Sequence, residues 1–411
     1  MSKLNPGRWW GQFPVTLQLV TRIRFLASLG AGGVIYLTPM AFNKIGFNAT
    51  QVGIGIAIAA LIGTFTRLLS GFLLDRRVSC SLLVSTACFL TIFADLSLFR
   101  ANSFNTYLFG QVLIGASAGI YWPAAELAVP FGCGEFPSRR GYALVRSSDA
   151  LGMSLGALFG TITAAVGYIR LVYLFDTFCM IILLNLLRKS SLLKPYDQNN
   201  DSAISVSKLT NNMVKYPFFI ELIPILIVSL IATGIFAMLQ SALPLDMVRG
   251  GLERPPLSEA TSGSIITMQL CLLVFLQWPV GRWLADRTIR FGLLLSLLNL
   301  GSGCYLLAYS ATIKNGVLII FGAQIFFSIG LAAFLPTATQ AVIDITPFNK
   351  RGLALALFSQ CFAFTALIAP LITGWFLDTN SHAYDLWLLM AALCILLIPI
   401  LRLVRPLRSA N

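Results

Sequence analysis

Apolar stretches of membrane-spanning length alternate with short polar turns along this chain, and their spacing predicts helices over about 15–40, 48–74, 78–99, 104–130, 141–167 and 170–188. A polar, Asn-rich stretch follows, and the pattern resumes at about 217–245, 261–285, 290–311, 315–343, 352–377 and 384–404. The expectation is an all-α membrane protein of twelve transmembrane helices: a six-helix bundle over 1–188, a central loop over 189–216 and a second six-helix bundle over 217–411. Composition agrees, since 57% of the 411 residues are hydrophobic against 11% charged. That ratio excludes a soluble multidomain enzyme.

A net charge of +13 would suggest a nucleic-acid partner in a soluble protein. Here it follows the positive-inside bias, and no nucleic-acid partner is expected. With the N-terminus in the cytoplasm, that side carries all but Lys44, Arg100, Arg170, Arg249, Arg254 and Lys314 of the 29 lysines and arginines, with Arg22 and Arg24 counted there. Both termini and the central loop are therefore expected in the cytoplasm. The first residues lack the apolar core and cleavage site of a secretory signal and are expected to stay on. Eight scattered cysteines form no CxxC pair and read as packing thiols, so no metal and no cofactor is expected.

The chain repeats itself. GFLLDRR, with Asp75, recurs as GRWLADR, with Asp286, at an offset of 211 residues, and the same offset carries Arg140 onto Arg351. Gln111, Gly115, Gly119 and Pro123 match Gln324, Ser328, Ala332 and Pro336 at an offset of 213. These landmarks indicate a duplicated six-helix unit. Gly71, Leu73, Asp75 and Arg76 between the second and third helices closely resemble the signature of the major facilitator superfamily. Val78 replaces the usual Gly after Arg77, and Arg282 stands where the second copy expects Gly. The resemblance covers the whole chain and implies two bundles around a central cavity that opens alternately to either side, lined by helices 1, 4, 7 and 10. It also implies a latch of the outward-facing state in which Asp75 meets Lys350 or Arg351. By the repeat, Asp286, followed by Arg287, would act against Arg139 or Arg140. Arg76 and Arg77 serve either the latch or topology alone.

Other charges lie inside apolar runs. Glu126, in the last turns of helix 4, needs a basic partner, expected among Arg76, Arg77 and Arg140, and reads as a gate pair or a proton site. Arg146 and Asp149 stand three apart on helix 5, about 12 Å inside it, and read equally as a coupling site or a neutral ion pair. The one histidine, His382, falls in the loop before the last helix, which leaves carboxylates to titrate: Asp149 first, then Glu126, Asp95 and Asp176. Ser148, Gly152, Gly156, Gly160 and Ala164 share one face, which either packs closely on a neighbour or resembles the helix 5 signature of superfamily antiporters, with Ala157 replacing its Pro. Gln111 occupies a place where proton antiporters of the superfamily commonly carry arginine.

Tyr36, Gln111, Tyr121, Gln240, Gln324 and Gln360 are the expected cavity residues, walled by Trp122, Phe326 and Phe327. They suit a small amphipathic solute, neutral or weakly cationic. The reading is a secondary transporter of one small organic molecule, monomeric, in the plasma (inner) membrane, with export, and proton antiport, favoured over uptake. Its alternatives are an uncoupled or uptake facilitator and a non-transporting assembly factor for chlorophyll or light-harvesting complexes. No nucleophile with a base, phosphate loop or metal cluster suggests an enzyme.

Overall fold

The computed structural model describes residues 10–76, 78–136, 138–188, 218–285, 287–346, 351–380 and 382–404. Twelve α-helices fill them. The N-terminal bundle consists of α1 (Val15–Lys44), α2 (Ala49–Asp75), α3 (Cys80–Arg100), α4 (Phe104–Cys133), α5 (Ser138–Ala165) and α6 (Leu171–Arg188). The C-terminal bundle consists of α7 (Phe218–Arg249), α8 (Glu259–Ala285), α9 (Ile289–Ala311), α10 (Val317–Ile345), α11 (Arg351–Asn380) and α12 (Tyr384–Leu397). Among the described residues, eleven helices are long and apolar enough to cross a bilayer alone. α5 falls short because Gly, Ser, Thr and charged residues dilute it, and its neighbours bury what it lacks in hydrophobicity. The protein is therefore a multi-pass membrane protein.

Local signals start the helices close to where the apolar runs place them. Asn48 caps α2 by accepting from the Gln51 backbone N–H at 2.7 Å, and Ser79, Ser103 and Thr288 cap α3, α4 and α9 in the same way. α12 ends earlier than its apolar run, because Pro399 passes the chain into a 3₁₀ turn over Pro399–Leu403. Gly46 and Gly167, at φ +100° and +84°, make the tight turns α1–α2 and α5–α6. Both turns lie at the end of the molecule away from the chain termini, called the distal end below; the opposite end is the terminal end.

The small-residue face of α5 has a physical explanation. A β-carbon on Gly152 would stand 2.7 Å from the Phe25 carbonyl oxygen, and one on Gly156 would strike the Leu29 carbonyl. α1 returns the fit, since Gly32 lies against the backbone of Met153. The two helices meet backbone to backbone, and close packing alone demands the glycines. Gly156→Val is expected to separate α1 from α5 and to lower the melting temperature of the purified protein by several degrees or more, with Ala150→Val on the same helix as the comparison. A melt unchanged by Gly156→Val would remove this seam as a determinant of the fold.

The C-terminal bundle is pinned at its distal end. Arg254, in the α7–α8 loop and 2% exposed, donates to the carbonyl and the Oδ1 of Asp246, each at 3.0 Å, and to Ser310 Oγ at 2.6 Å. Trp387 Nε1 donates to the other oxygen of Asp246 at 3.2 Å. Every charge there is matched, which is what burial requires.

The bundles meet mainly at the distal end. Gly53 of α2 lies against the Pro370 carbonyl of α11, and Gly374 of α11 against Ala49 and Thr50. Thr161 of α5 and Thr267 of α8 share a hydrogen bond at 3.0 Å. Toward the terminal end, no described atom stands within 4 Å of a β-carbon built on Gly71 of α2 or Gly281 of α8. Among the described residues, the backbone-to-backbone glycine contacts between the bundles fall at the distal end.

Candidate functional site

Three helices of the N-terminal bundle bring charged side chains together about 10–17 Å from the terminal end of the helices that carry them. Arg24 of α1 reaches across to α5, where its Nε donates to Asp149 Oδ1 at 3.1 Å and its Nη2 donates to Oδ2. Its remaining nitrogen, Nη1, donates to Glu126 Oε1 of α4 at 2.9 Å. Arg146 of α5 approaches the same Glu126 oxygen at 3.0 Å. Ser28, one turn after Arg24, donates to Asp149 Oδ1 at 3.3 Å, and the Trp122 ring underlies the Arg24 guanidinium at 5.0 Å. The glycine seam makes this possible, since it holds α1 and α5 close enough for a bidentate arginine–carboxylate pair.

The cluster grades from closed to open. Side-chain exposure is 1% at Arg24, 13% at Asp149, 31% at Glu126 and 58% at Arg146. Two guanidiniums and two carboxylates cancel, so the set can sit in a low-dielectric interior without net charge. All three nitrogens of the planar fork are engaged at once, two by Asp149 and one by Glu126. The Tyr121 hydroxyl, close to Arg24 and Asp149, is buried without a partner and faces the same charges.

The sequence reading is corrected here in three respects. Arg24 is not a surface cation marking topology: nine residues into α1, it lies about 13 Å inside the helix and is the most buried member of the cluster. Glu126 pairs with Arg24 and Arg146, not with Arg76, which instead stacks on Phe72 at 4.3 Å. Arg146 and Asp149, three apart on one helix, bond to different partners because Arg24 takes both oxygens of Asp149.

Much of the expected latch falls outside the described residues: the side chains of Asp75, Arg140 and Arg351, together with Arg77, Asp286 and Lys350. Of its remaining members, Gly71 faces open space and Arg287 stacks near Trp283 and Phe291. Among the expected cavity residues, the hydroxyl of Tyr36 on α1 lies near the side chain of Gln240 on α7, one residue from each bundle. Gln111 is buried, and Gln360 is exposed. Gln324 is wholly buried, donating to the Ile320 carbonyl within its own helix. Neither expected aromatic wall of α10 faces Tyr36 and Gln240: Phe327 packs under Gly303, and Phe326 lines a groove of about 540 Å³ beside Leu297, Tyr305 and Leu388.

A second polar constellation joins the bundles at the distal end. Asp378 of α11 accepts from the backbone N–H groups of Ala49 at 3.0 Å and Thr50 at 2.7 Å, so a carboxylate of one bundle caps a helix of the other. Arg249 of α7 donates to Asp378 at 3.0 Å and to Asn43 of α1 at 3.3 Å, and Lys44 pairs with Glu259 at 3.0 Å. Nothing in the local sequence around Asp378 separates it from an exposed helix-end acid; the link exists only in three dimensions.

The sequence profile of the Major Facilitator Superfamily matches residues 22–252 and 256–411. No curated protein matches the sequence significantly. Among solved structures, a peptide transporter POT in complex with sulfate superposes with a TM-score of 0.78 at 16% identity, over 96% of each chain. The nucleoside transporter NupG, as its D323A mutant, gives 0.77 at 11% identity, over 95% of this chain and 100% of its own. A POT family transporter in complex with 5-aminolevulinic acid gives 0.78 at 12% identity, over 96% of each chain. At these identities the likeness is one of fold.

Proposed function

The chain belongs to the major facilitator superfamily and is a secondary transporter, not an enzyme, and from that premise we propose that it exports a small amphipathic organic solute by alternating access, in exchange for protons taken up at Asp149. The observation that carries the reading is the Arg24 fork, held by Asp149 and shared with Glu126. A proton delivered to Asp149 removes one arm of that grip and leaves Arg24 to Glu126, and loss of the proton restores it. Glu126 and Arg146 are the more exposed members, so solute and proton would compete for one set of charges there.

The two bundles divide the work in this proposal. The position that matches Asp149 in the second copy is Gln360, exposed and uncharged, so the N-terminal bundle handles the ion and the C-terminal bundle offers neutral polar groups. Tyr36 and Gln240, near one another from the two bundles, mark where a neutral or weakly cationic solute would meet both. With the termini in the cytoplasm of a plasma membrane, as the lysine and arginine distribution favours, the closely packed distal end would face outward and the cycle's present state would be the inward-facing one. Asp75, Arg76, Arg77 and Arg140 with Asp286, Arg287, Lys350 and Arg351 would latch the opposite state. The export direction rests on the partial likeness of the α5 glycine face, with Ala157 in place of its Pro, to the helix 5 signature of superfamily antiporters.

Everted membrane vesicles test this. Amphipathic compounds added in turn to vesicles holding a pH gradient are expected to collapse it for the wild type, as read by recovery of acridine fluorescence. Asp149→Asn is expected to abolish the response while solute still binds. A wild type that moves solute without disturbing the gradient would make the protein a facilitator. Solute entry accelerated by a gradient of the opposite sense would make it a proton-driven importer.

A further inference from the structure

We infer that Asp95 of α3 and Asp176 of α6 form a second proton-binding site, buried in the N-terminal bundle apart from the Arg24 cluster and independent of which solute the protein carries. Both stand five residues from the distal end of their helices and so lie at one depth, about 7–8 Å in. Asp95 is 0% and Asp176 2% exposed, and the two are close enough to interact.

Among the described residues, no positive charge answers them. The groups that face the pair are the thiols of Cys88 from α3 and Cys179 from α6, the Tyr173 ring, Thr177 and the backbone of α1 at Gly30. The Tyr173 hydroxyl already bonds Thr38. The nearest arginine along α6, Arg170, is committed to the α3–α4 turn, where it donates to the carbonyls of Phe99 and Ala101 and to the Asn102 side chain.

A separate observation points to a missing partner. Both oxygens of Asp95 and the Oδ1 of Asp176 are buried with no hydrogen bond, and the Thr177 hydroxyl beside Asp95, outside bonding geometry, has none either. Elsewhere the fold matches its buried acids with arginine, Asp149 with Arg24 and Asp246 with Arg254. Two adjacent carboxylates in hydrocarbon cannot both be ionised without a cation. A proton removes one charge and supplies an O–H donor to an orphaned acceptor. It also needs no space, and little is available: a β-carbon on Gly30 would collide with the Asp176 carboxyl. A hydrated or coordinated metal cation would have to displace that backbone.

Infrared spectroscopy of the purified wild type in lipid nanodiscs at neutral pH is expected to show the carbonyl stretch of a protonated carboxylic acid that does not exchange readily into deuterated water. Asp95→Asn and Asp176→Asn are each expected to shift or remove that band, the double variant to lose it entirely, and Asp149→Asn to leave it in place. Because an amide is uncharged, both single variants are expected to fold and to melt at or above the wild-type temperature in alkaline buffer. No slowly exchanging band in the wild type would overturn the inference, as would a band indifferent to both substitutions. So would a band lost on replacing choline with sodium, which would reassign the pair to a metal cation.

Discussion

Arg24→Met is expected to abolish transport and to leave little folded protein. The substitution strands Asp149 with no cation bonded to it and leaves Glu126 with only the half-exposed Arg146. Breaking a buried pair by removing one partner costs about 3–5 kcal/mol, against a total stability on the order of 5–15 kcal/mol. Arg24→Met combined with Asp149→Asn removes one charge of each sign and keeps the Glu126–Arg146 pair, so the double variant is expected to recover much of the lost melting temperature. It is not expected to recover proton-coupled transport, because the carboxylate that would titrate is gone. Arg24→Lys keeps the charge but not the fork, and should fold while transporting poorly, since one ammonium cannot span Asp149 and Glu126 in the same geometry. Thermal melts and vesicle transport on these three variants separate the structural from the coupling role. An Arg24→Met protein that folds and transports like the wild type would remove the cluster from the mechanism.

Arg24 also shows where the sequence is legible and where it is not. Twelve apolar runs and an internal repeat locate twelve helices to within four residues, the end of α12 excepted, because in a bilayer every backbone group must be paired within a helix or a closed barrel. Charge is harder, because a cation near a helix start is read as topology until its neighbours are known. The signal available was depth: Arg24 lies nine residues into an apolar helix, with Ser28 one turn further on. A guanidinium there requires counter-charges, and Asp149 and Glu126 were the acids in apolar runs at matching depth. Asp149 was visible for the same reason, whereas its partner was hidden because the nearer Arg146 offered an easier pairing on one helix. Gln324 illustrates the opposite error: repeat symmetry puts it opposite Gln111, yet wholly buried packing inside the C-terminal bundle, not a cavity, surrounds it. The distal link through Asp378 had no local signature at all, since it depends on a helix N-terminus over three hundred residues earlier in the chain.

That distal link supports the second large effect. Cysteines in place of Thr161 and Thr267, whose hydroxyls now share a hydrogen bond at 3.0 Å, are expected to form a disulfide on oxidation and to stop transport. Reductant should restore it, with the partly exposed Cys80 and Cys271 first replaced by serine. Alternating access requires α5 and α8 to part there, so a covalent bridge across them holds every solute on one side of the cycle. Asp378→Ala then measures what holds the closed end together. It removes a carboxylate from two backbone donors at the start of α2 and from Arg249, leaving Lys44–Glu259 as the ion pair between the bundles there. Hydrogen bonds to a charged group contribute about 1.5–3 kcal/mol each when buried, and Asp378 is partly open to solvent, so a net shift of about 1–2 kcal/mol is expected. That corresponds to roughly a tenfold fall in the ratio of closed to open states. Disulfide formation by the Thr161→Cys/Thr267→Cys pair should slow accordingly once the closed state is no longer dominant. Equal crosslinking rates with and without Asp378, or transport that continues across the bridge, would show that the distal ends of α5 and α8 do not separate during turnover.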